Sequence, residues 1–334
     1  PEEDCIITLT EGGYIKRMNP KNYKAQLRGG KGVSGITTRE EDAVKYLASV
    51  NTHDSLLFFT NTGRVFQTKS YEIPEASRVA RGQATVNFLE LGPKEEVSAL
   101  VALKENLKNK KKGENKNALA LGEENYLVMA TKNGIIKKTV IGDFSNVRRS
   151  GLIAIGLDKG DLLCWVKPSS GNDEIILITA KGQSVRFKEK DARPMGRSAG
   201  GTRGIRLKKG DTVVGMEIVK SQKSKVQSQD EKIERQELLV VMENGYGKKT
   251  ELKQFKVQRR GGSGIKAAQV TPKTGQIVAA KILAADEEDI IAISQHGQVI
   301  RTALGSISLL GRATQGVRIM KLDEGDKVAS VTCL

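Results

Sequence analysis

Apolar residues along this chain fall into short runs with almost no helical spacing. The clearest is Leu56-Leu57-Phe58-Phe59-Thr60, followed by a polar turn, Asn61-Thr62-Gly63, and a second run, Arg64-Val65-Phe66-Gln67-Thr68. Aromatic and β-branched residues on either side of a glycine free to take positive φ predict a β-hairpin. The pattern returns as LVMATKNGIIKKT, IILITAKGQSVRF, LLVVMENGYGKKT and IIAISQHGQVIRT. Six hairpin glycines result: Gly13, Gly63, Gly134, Gly182, Gly245 and Gly297.

Beyond each hairpin come roughly ten polar residues, then an arginine fifteen residues after the hairpin glycine: Arg28, Arg78, Arg149, Arg197, Arg260 or Arg312. Two more apolar stretches follow, joined in three copies by Lys159-Gly160-Asp161, Lys209-Gly210-Asp211 or Glu324-Gly325-Asp326. Four short strands per copy, with turn chemistry between them, predict an all-β array of repeated blades. The hairpin glycines are 50, 71, 48, 63 and 52 residues apart, so two copies carry insertions. These read as polar loops at 104–124 and 220–236, too poor in large apolar residues to form a core. Residues 39–50 have helical propensity, but their place in the repeat calls for a strand.

Charge adds a functional direction. The chain has 55 Lys and Arg against 39 Asp and Glu, a net +16, which points to a polyanionic partner or, more plainly, to a solvated basic surface. The cations are placed regularly. Four residues after each hairpin glycine stand Arg17, Gln67, Lys138, Arg186, Lys249 and Arg301, a stripe expected on one rim, with Lys16, Lys137 and Lys248 beside three of them.

The arginine loops carry the candidate chemistry. In the first copy the loop is Gln26-Leu27-Arg28-Gly29-Gly30-Lys31-Gly32, and in the fifth it is Gln258-Arg259-Arg260-Gly261-Gly262-Ser263-Gly264. Dense glycine lets backbone amides approach a phosphate while arginine supplies a fork of donors. Two readings are open for each arginine, phosphate contact or packing across a blade junction. The expected DNA-binding set is Gln26 to Gly32 together with Lys16, Arg17, Arg78, Lys138, Arg149, Arg186, Arg197, Lys249, Arg259, Arg260, Arg301 and Arg312.

Other chemistries find little footing. The GxGxxG of Gly30 to Gly35 opens no helix in a βαβ unit, and Lys31 is not followed by Ser or Thr as a Walker loop requires. Two histidines, His53 and His296, stand in unrelated places, and three scattered cysteines make neither a CxxC pair nor a disulfide framework. No catalytic constellation, metal site or cofactor site is expected. Aromatic residues are 4% of the chain, too few for single-strand stacking platforms. No apolar run spans a membrane, and the cysteine usage fits a reducing cytoplasm.

The chain strongly resembles the C-terminal domain of the DNA gyrase A subunit. The resemblance is carried by QLRGGKG, similar to that family's QRRGGKG box, and by VNTHDSLLFFTNTGRVF, ATKNGIIKKT, GTRGIRLKKGD, ENGYGKKT and GRATQGVRIMKLDEGD. It implies a six-bladed β-pinwheel, a propeller relative with strands exchanged between blades, in one domain over 1–334. Its blades would fall at about 5–55, 56–103, 126–173, 174–219, 237–283 and 289–334. It further implies duplex DNA wrapped on a basic outer rim, giving the parent enzyme chiral, negative-supercoiling strand passage, with the box at Gln26, Arg28, Gly29, Gly30, Lys31 and Gly32. Leu27 departs from the family's arginine at that place. Catalysis, ATP and Mg would belong elsewhere in an A2B2 enzyme, on an N-terminal breakage-reunion core and a B subunit, in the cytoplasm on the nucleoid. The neighbouring alternatives are the homologous domain of topoisomerase IV and a propeller used as a protein-interaction scaffold.

Overall fold

A computed structural model describes residues 2–20, 44–77, 80–103, 125–148, 150–221, 236–284 and 287–333. The described secondary structure is strand, with short 3-10 turns: five follow the hairpins of copies two to six, and one, Thr85–Asn87, follows the strand Gln83–Ala84. Six small sheets result, one for each predicted hairpin, antiparallel except where Val257–Gln258 runs parallel to Gln183–Lys188 in the fourth, and the fold is of the six-bladed β-propeller or pinwheel class. Residues 44–50 are strand, as their place in the repeat requires, within Val44–Asn51. Local propensity yields there to pairing with Asp4–Thr10.

The six hairpin glycines have φ between +76° and +85°, and each donates its amide to the carbonyl three residues earlier. In five of the six, a Thr or Ser at that earlier position also accepts from the amide just after the glycine. Thr60 Oγ1 to Arg64 N is 3.2 Å, and Ser294 Oγ to Gln298 N is 3.0 Å. The Gly-Asp turn of the same copy braces the hairpin tip. Asp211 accepts from the amides of Lys181 and Thr212, and Asp326 accepts from those of His296 and Lys327.

Two strands of each sheet come from the hairpin and a third from the same copy. In the first five sheets a further strand is borrowed from the next copy, and among the described residues the sixth sheet has three strands. Gln83–Ala84, which follows the second arginine loop, pairs with Tyr14 and Ile15 of the first hairpin. Leu152–Ile153 pairs with the second hairpin, Thr202–Arg203 with the third, Ile265–Lys266 with the fourth and Val317–Arg318 with the fifth. Each borrowed strand leads into an amide that donates to the hairpin glycine's carbonyl: Thr85 to Gly13, Ala154 to Gly63, Gly204 to Gly134, Ala267 to Gly182 and Ile319 to Gly245, at 2.8–2.9 Å. Glycine is therefore needed at the hairpin for space as well as for φ. A Cβ on Gly182 would lie 2.5 Å from the Ala268 carbonyl oxygen.

The structure divides into two units. One contains residues 1–129, 138–168 and 194–200, the other 130–137, 169–193 and 201–334. In the first unit, Leu56 and Phe58 join Ile7, Leu9 and Ile15 in one apolar cluster, while Leu57 and Phe59 join Leu127, Met129 and Phe144 in another. In the second, Leu238 and Val240 pack with Ile176 and Ile178, while Leu239 and Val241 pack with Ile290 and Ala292. A strand sandwiched between two neighbouring sheets buries both faces, which is why these strands read as unbroken apolar runs and not as alternations.

The two roles of the hairpin glycine are separable. Gly182→Ala introduces both positive-φ strain and a backbone clash, so it should cost about 3 kcal/mol. Gly297→Ala, with φ +85° but nothing within 4 Å of the added carbon, should cost only about 1 kcal/mol. Urea unfolding of the two variants tests the difference.

Candidate nucleic-acid interface

Where the predicted cations lie decides what they can bind. The stripe four residues past the hairpin glycine faces this chain's own acids and carbonyls. Arg186 binds Glu174 at 2.6–2.7 Å and donates to the carbonyls of Leu252 and Phe255, around the next copy's 3-10 turn. Arg17 donates to the Ile73 carbonyl and pairs with Glu3 and Glu75. Lys249 pairs with Glu237 at 3.1 Å. All three side chains are only 15–16% exposed. Lys138 is buried with its Nζ 4.8 Å from the Tyr126 ring, and Arg301, although exposed, is held by Asp289. A rim of free cations at this register does not match the structure. Acids at or just before the start of the first hairpin strand pair with Arg17, Arg186, Lys249 and Arg301, and Arg17 and Arg186 also latch one copy to the next.

Lys16 sits differently again. It is buried and donates to the carbonyls of Ser77 and Ala80, at 3.3 and 2.8 Å. Lys248, also buried, donates to the carbonyls of Gly311 and Arg312 at 2.8 and 2.7 Å, and to Thr314 Oγ1 at 3.2 Å. Each therefore grips the arginine loop of the following copy from inside. The position alternates along the chain: Lys16, Phe66, Lys137, Val185, Lys248, Ile300. Its lysines precede loops of one kind, ASRVARG, MGRSAGG and LGRATQG, whereas Phe66 precedes VRRSGLI and Val185 precedes QRRGGSG. Burial pushes the Lys248 amine down to about 8, and the neighbouring Arg312 charge adds to the effect.

Of the six register arginines, Arg197, Arg260 and Arg312 are described. The box, Gln26 to Gly32, and Arg78 and Arg149 lie outside the described residues. Arg260 donates to the Asp191 carbonyl at 3.1 Å, and also to Thr202 Oγ1 and the Arg203 carbonyl. Arg312 donates to the Lys266 carbonyl. The loops dock backbone to backbone as well, with Gly261 N to Gly204 O and Arg206 N to Gly262 O both 2.8 Å. The loop glycines serve this docking, since a Cβ on Gly264 would lie 2.2 Å from the Ser184 carbonyl oxygen. Arg260 thus takes the junction reading, and Arg197 is half-buried. Arg259 is exposed.

The family resemblance implied exchanged strands, but the cations on them were passed over. Arg203, Lys266 and Arg318 are exposed on three of them. Their signal is a basic residue two places after the loop glycine, in Gly201-Thr202-Arg203, Gly264-Ile265-Lys266 and Gly316-Val317-Arg318.

The family described as "DNA gyrase C-terminal domain, beta-propeller" matches residues 6–51, 54–104, 125–170, 173–220, 236–284 and 288–334, one segment per repeat. The chain belongs to the DNA gyrase C-terminal domain family. The gyrase A protein of Staphylococcus epidermidis is 41% identical over 331 residues, covering 99% of this chain and 34% of that protein. Its counterpart from Staphylococcus aureus strain NCTC 8325 is 40% identical with the same coverage. The chain spans about a third of the length of these curated gyrase relatives. A solved gyrase A C-terminal domain superposes with TM-score 0.69 at 27% identity, covering 99% of both chains. The C-terminal domain of a DNA topoisomerase IV shares the fold, with TM-score 0.79 at 24% identity, covering 100% of this chain and 94% of the other. Within this gyrase-family fold the described residues hold no group of three or more His, Cys, Asp or Glu placed for a metal. No helix among them is long and apolar enough to cross a membrane.

The latches and grips can be tested separately. Arg186→Gln should lower unfolding stability by about 2–3 kcal/mol, because it leaves a carboxylate and two carbonyls short of a charged donor; denaturant titration measures it. For Lys248 the folded amine loses its proton near pH 8, whereas an unfolded lysine keeps it to about 10.4. The unfolded state binds more protons across that window, so stability rises with pH there. The stability of the parent chain minus that of Lys248→Met should climb between those values and stay level below them.

Proposed function

We propose that this chain is the DNA-wrapping part of a DNA gyrase A subunit, binding duplex DNA along a basic surface without acting as an enzyme itself. The observation that carries the reading is the match of every repeat to the gyrase C-terminal family. The net charge of +16 supports it, because each phosphate neutralised by a lysine or arginine releases condensed counterions. Bending one persistence length of duplex, about 150 bp, through a full turn costs on the order of 12 kcal/mol. No single loop offsets that, whereas cations repeated from blade to blade accumulate the gain.

In this reading the wrap presents a crossing DNA segment with one chirality to the rest of the enzyme. Strand breakage lies in an N-terminal core, and ATP and Mg are bound elsewhere, with a B subunit completing an A2B2 assembly in the bacterial cytoplasm, on the nucleoid. The loop Gln26 to Gly32 is assigned to the DNA path from its sequence, with Leu27 removing one of the charges that the family's box carries.

The test is topological. Relaxed plasmid closed by ligase in the presence of the chain should acquire a linking-number bias, reduced when residues 26–32 are replaced by alanine. No linking-number change at saturating protein overturns the wrapping reading. Salt-insensitive binding to a protein partner without DNA affinity would install the scaffold reading in its place.

A further inference from the structure

We infer that, within residues 130–137, 169–193 and 201–334, the borrowed strands supply the DNA contacts, through Arg203, Lys266 and Arg318, while the register arginines Arg260 and Arg312 position those strands. The inference rests on the DNA-wrapping reading and assigns residues to it.

The three cations occupy one place in three successive sheets. Arg203 pairs across from Ile135, Lys266 from Gln183 and Arg318 from Tyr246, in each case the residue just after a hairpin glycine. All three are exposed. The Arg318 guanidinium lies 5.5 Å from the Tyr246 ring and 3.4 Å from its hydroxyl, and none of the three pairs with an acid among the described residues. A side chain fixed at its backbone and open at its charged tip suits a phosphate contact, which needs position but no base reading.

The register arginines act one step behind. Arg260 donates to the Arg203 carbonyl and Arg312 to the Lys266 carbonyl. Each guanidinium thus commits donors to the backbone of the residue whose side chain faces solvent. The first unit supplies the contrast. At the same sheet position it has Ala84 and Ile153, and the cation opposite Ile153, Arg64, is bound to Glu95 at 2.7 Å and to the Ser150 carbonyl. Free positive charge on the borrowed strands is therefore a feature of the second unit among the described residues.

Duplex DNA is the occupant these observations favour, because the cations recur from blade to blade, as phosphates recur along a duplex, in a chain of net charge +16. The experiment measures the affinity of the 334-residue chain for a linear mixed-sequence duplex of about 150 bp over a range of salt. Each phosphate contact contributes about 0.9 to the slope of log affinity against log salt. The variant Arg203→Gln, Lys266→Gln, Arg318→Gln should keep the parent's thermal unfolding midpoint and lose about 2.7 from that slope. An unchanged slope overturns the contact assignment while leaving the wrapping reading in place; a parent chain with no salt-dependent DNA binding overturns the reading itself.

A double-mutant cycle separates contact from positioning. If Arg260 positions Arg203, then Arg203→Gln with Arg260→Gln should lower the slope no more than Arg203→Gln does alone. Additive losses, about 0.9 each, would make Arg260 a direct contact and overturn the positioning role.

Discussion

A hydrogen bond from a borrowed strand to the carbonyl of a hairpin glycine sets the order of everything else in this fold. Where Ala267 donates to Gly182, the fifth copy completes the fourth sheet, and the Gly245 carbonyl does the same for Ile319 of the sixth. None of the first five sheets is complete with its own strands, so each of those copies is ordered by the one after it. That arrangement removes the exposed strand edge a three-stranded blade would present. It also fixes the sequence at the junction. A glycine is required on the receiving hairpin, and another, such as Gly201 or Gly264, is required just before the donated strand, where a side chain would strike the Ile136 or Ser184 carbonyl.

Around that junction the chain's positive charge is divided between two tasks. Lys16, Lys248, Arg17 and Arg186 are turned inward, onto carbonyls and acids of the chain itself. Burying a lysine is costly unless its donors are met, and Lys248 meets three acceptors in the loop it holds. Arg203, Lys266 and Arg318 are turned outward. A basic composition therefore overstates the charge available to a partner, since part of it serves as internal fastening.

Lysine alternates at one hairpin position with Phe66, Val185 and Ile300 from copy to copy. A lysine-backed loop, such as 310–316, is anchored from beneath by an ammonium group. The glycine-pair loop at 258–264 is anchored by its own Arg260 and by backbone contacts to Gly204 and Arg206. Both loops have an arginine that donates to a carbonyl of the preceding copy, and they differ in the lysine beneath one of them.

Much of this was legible along the chain. Hairpin glycines and strand runs follow from local rules, because positive φ and two-faced burial leave their mark on neighbouring residues, whereas residues 44–50 are strand by their place in the repeat and against their local propensity. The repeat, the all-β class and the family follow as well. The direction in which a charge points was not legible. Arg186 and Arg203 are both arginines near a hairpin in the repeat, and only the structure sets Glu174 and two carbonyls around one and solvent around the other. The family resemblance implied that strands are exchanged, but not which segments, since a two-residue strand carries no periodicity and its partner lies more than 60 residues away in sequence. Local rules sufficed for the hairpins, the repeat and the family. Which charges are fastenings and which are free was settled only in three dimensions, because that depends on contacts between copies.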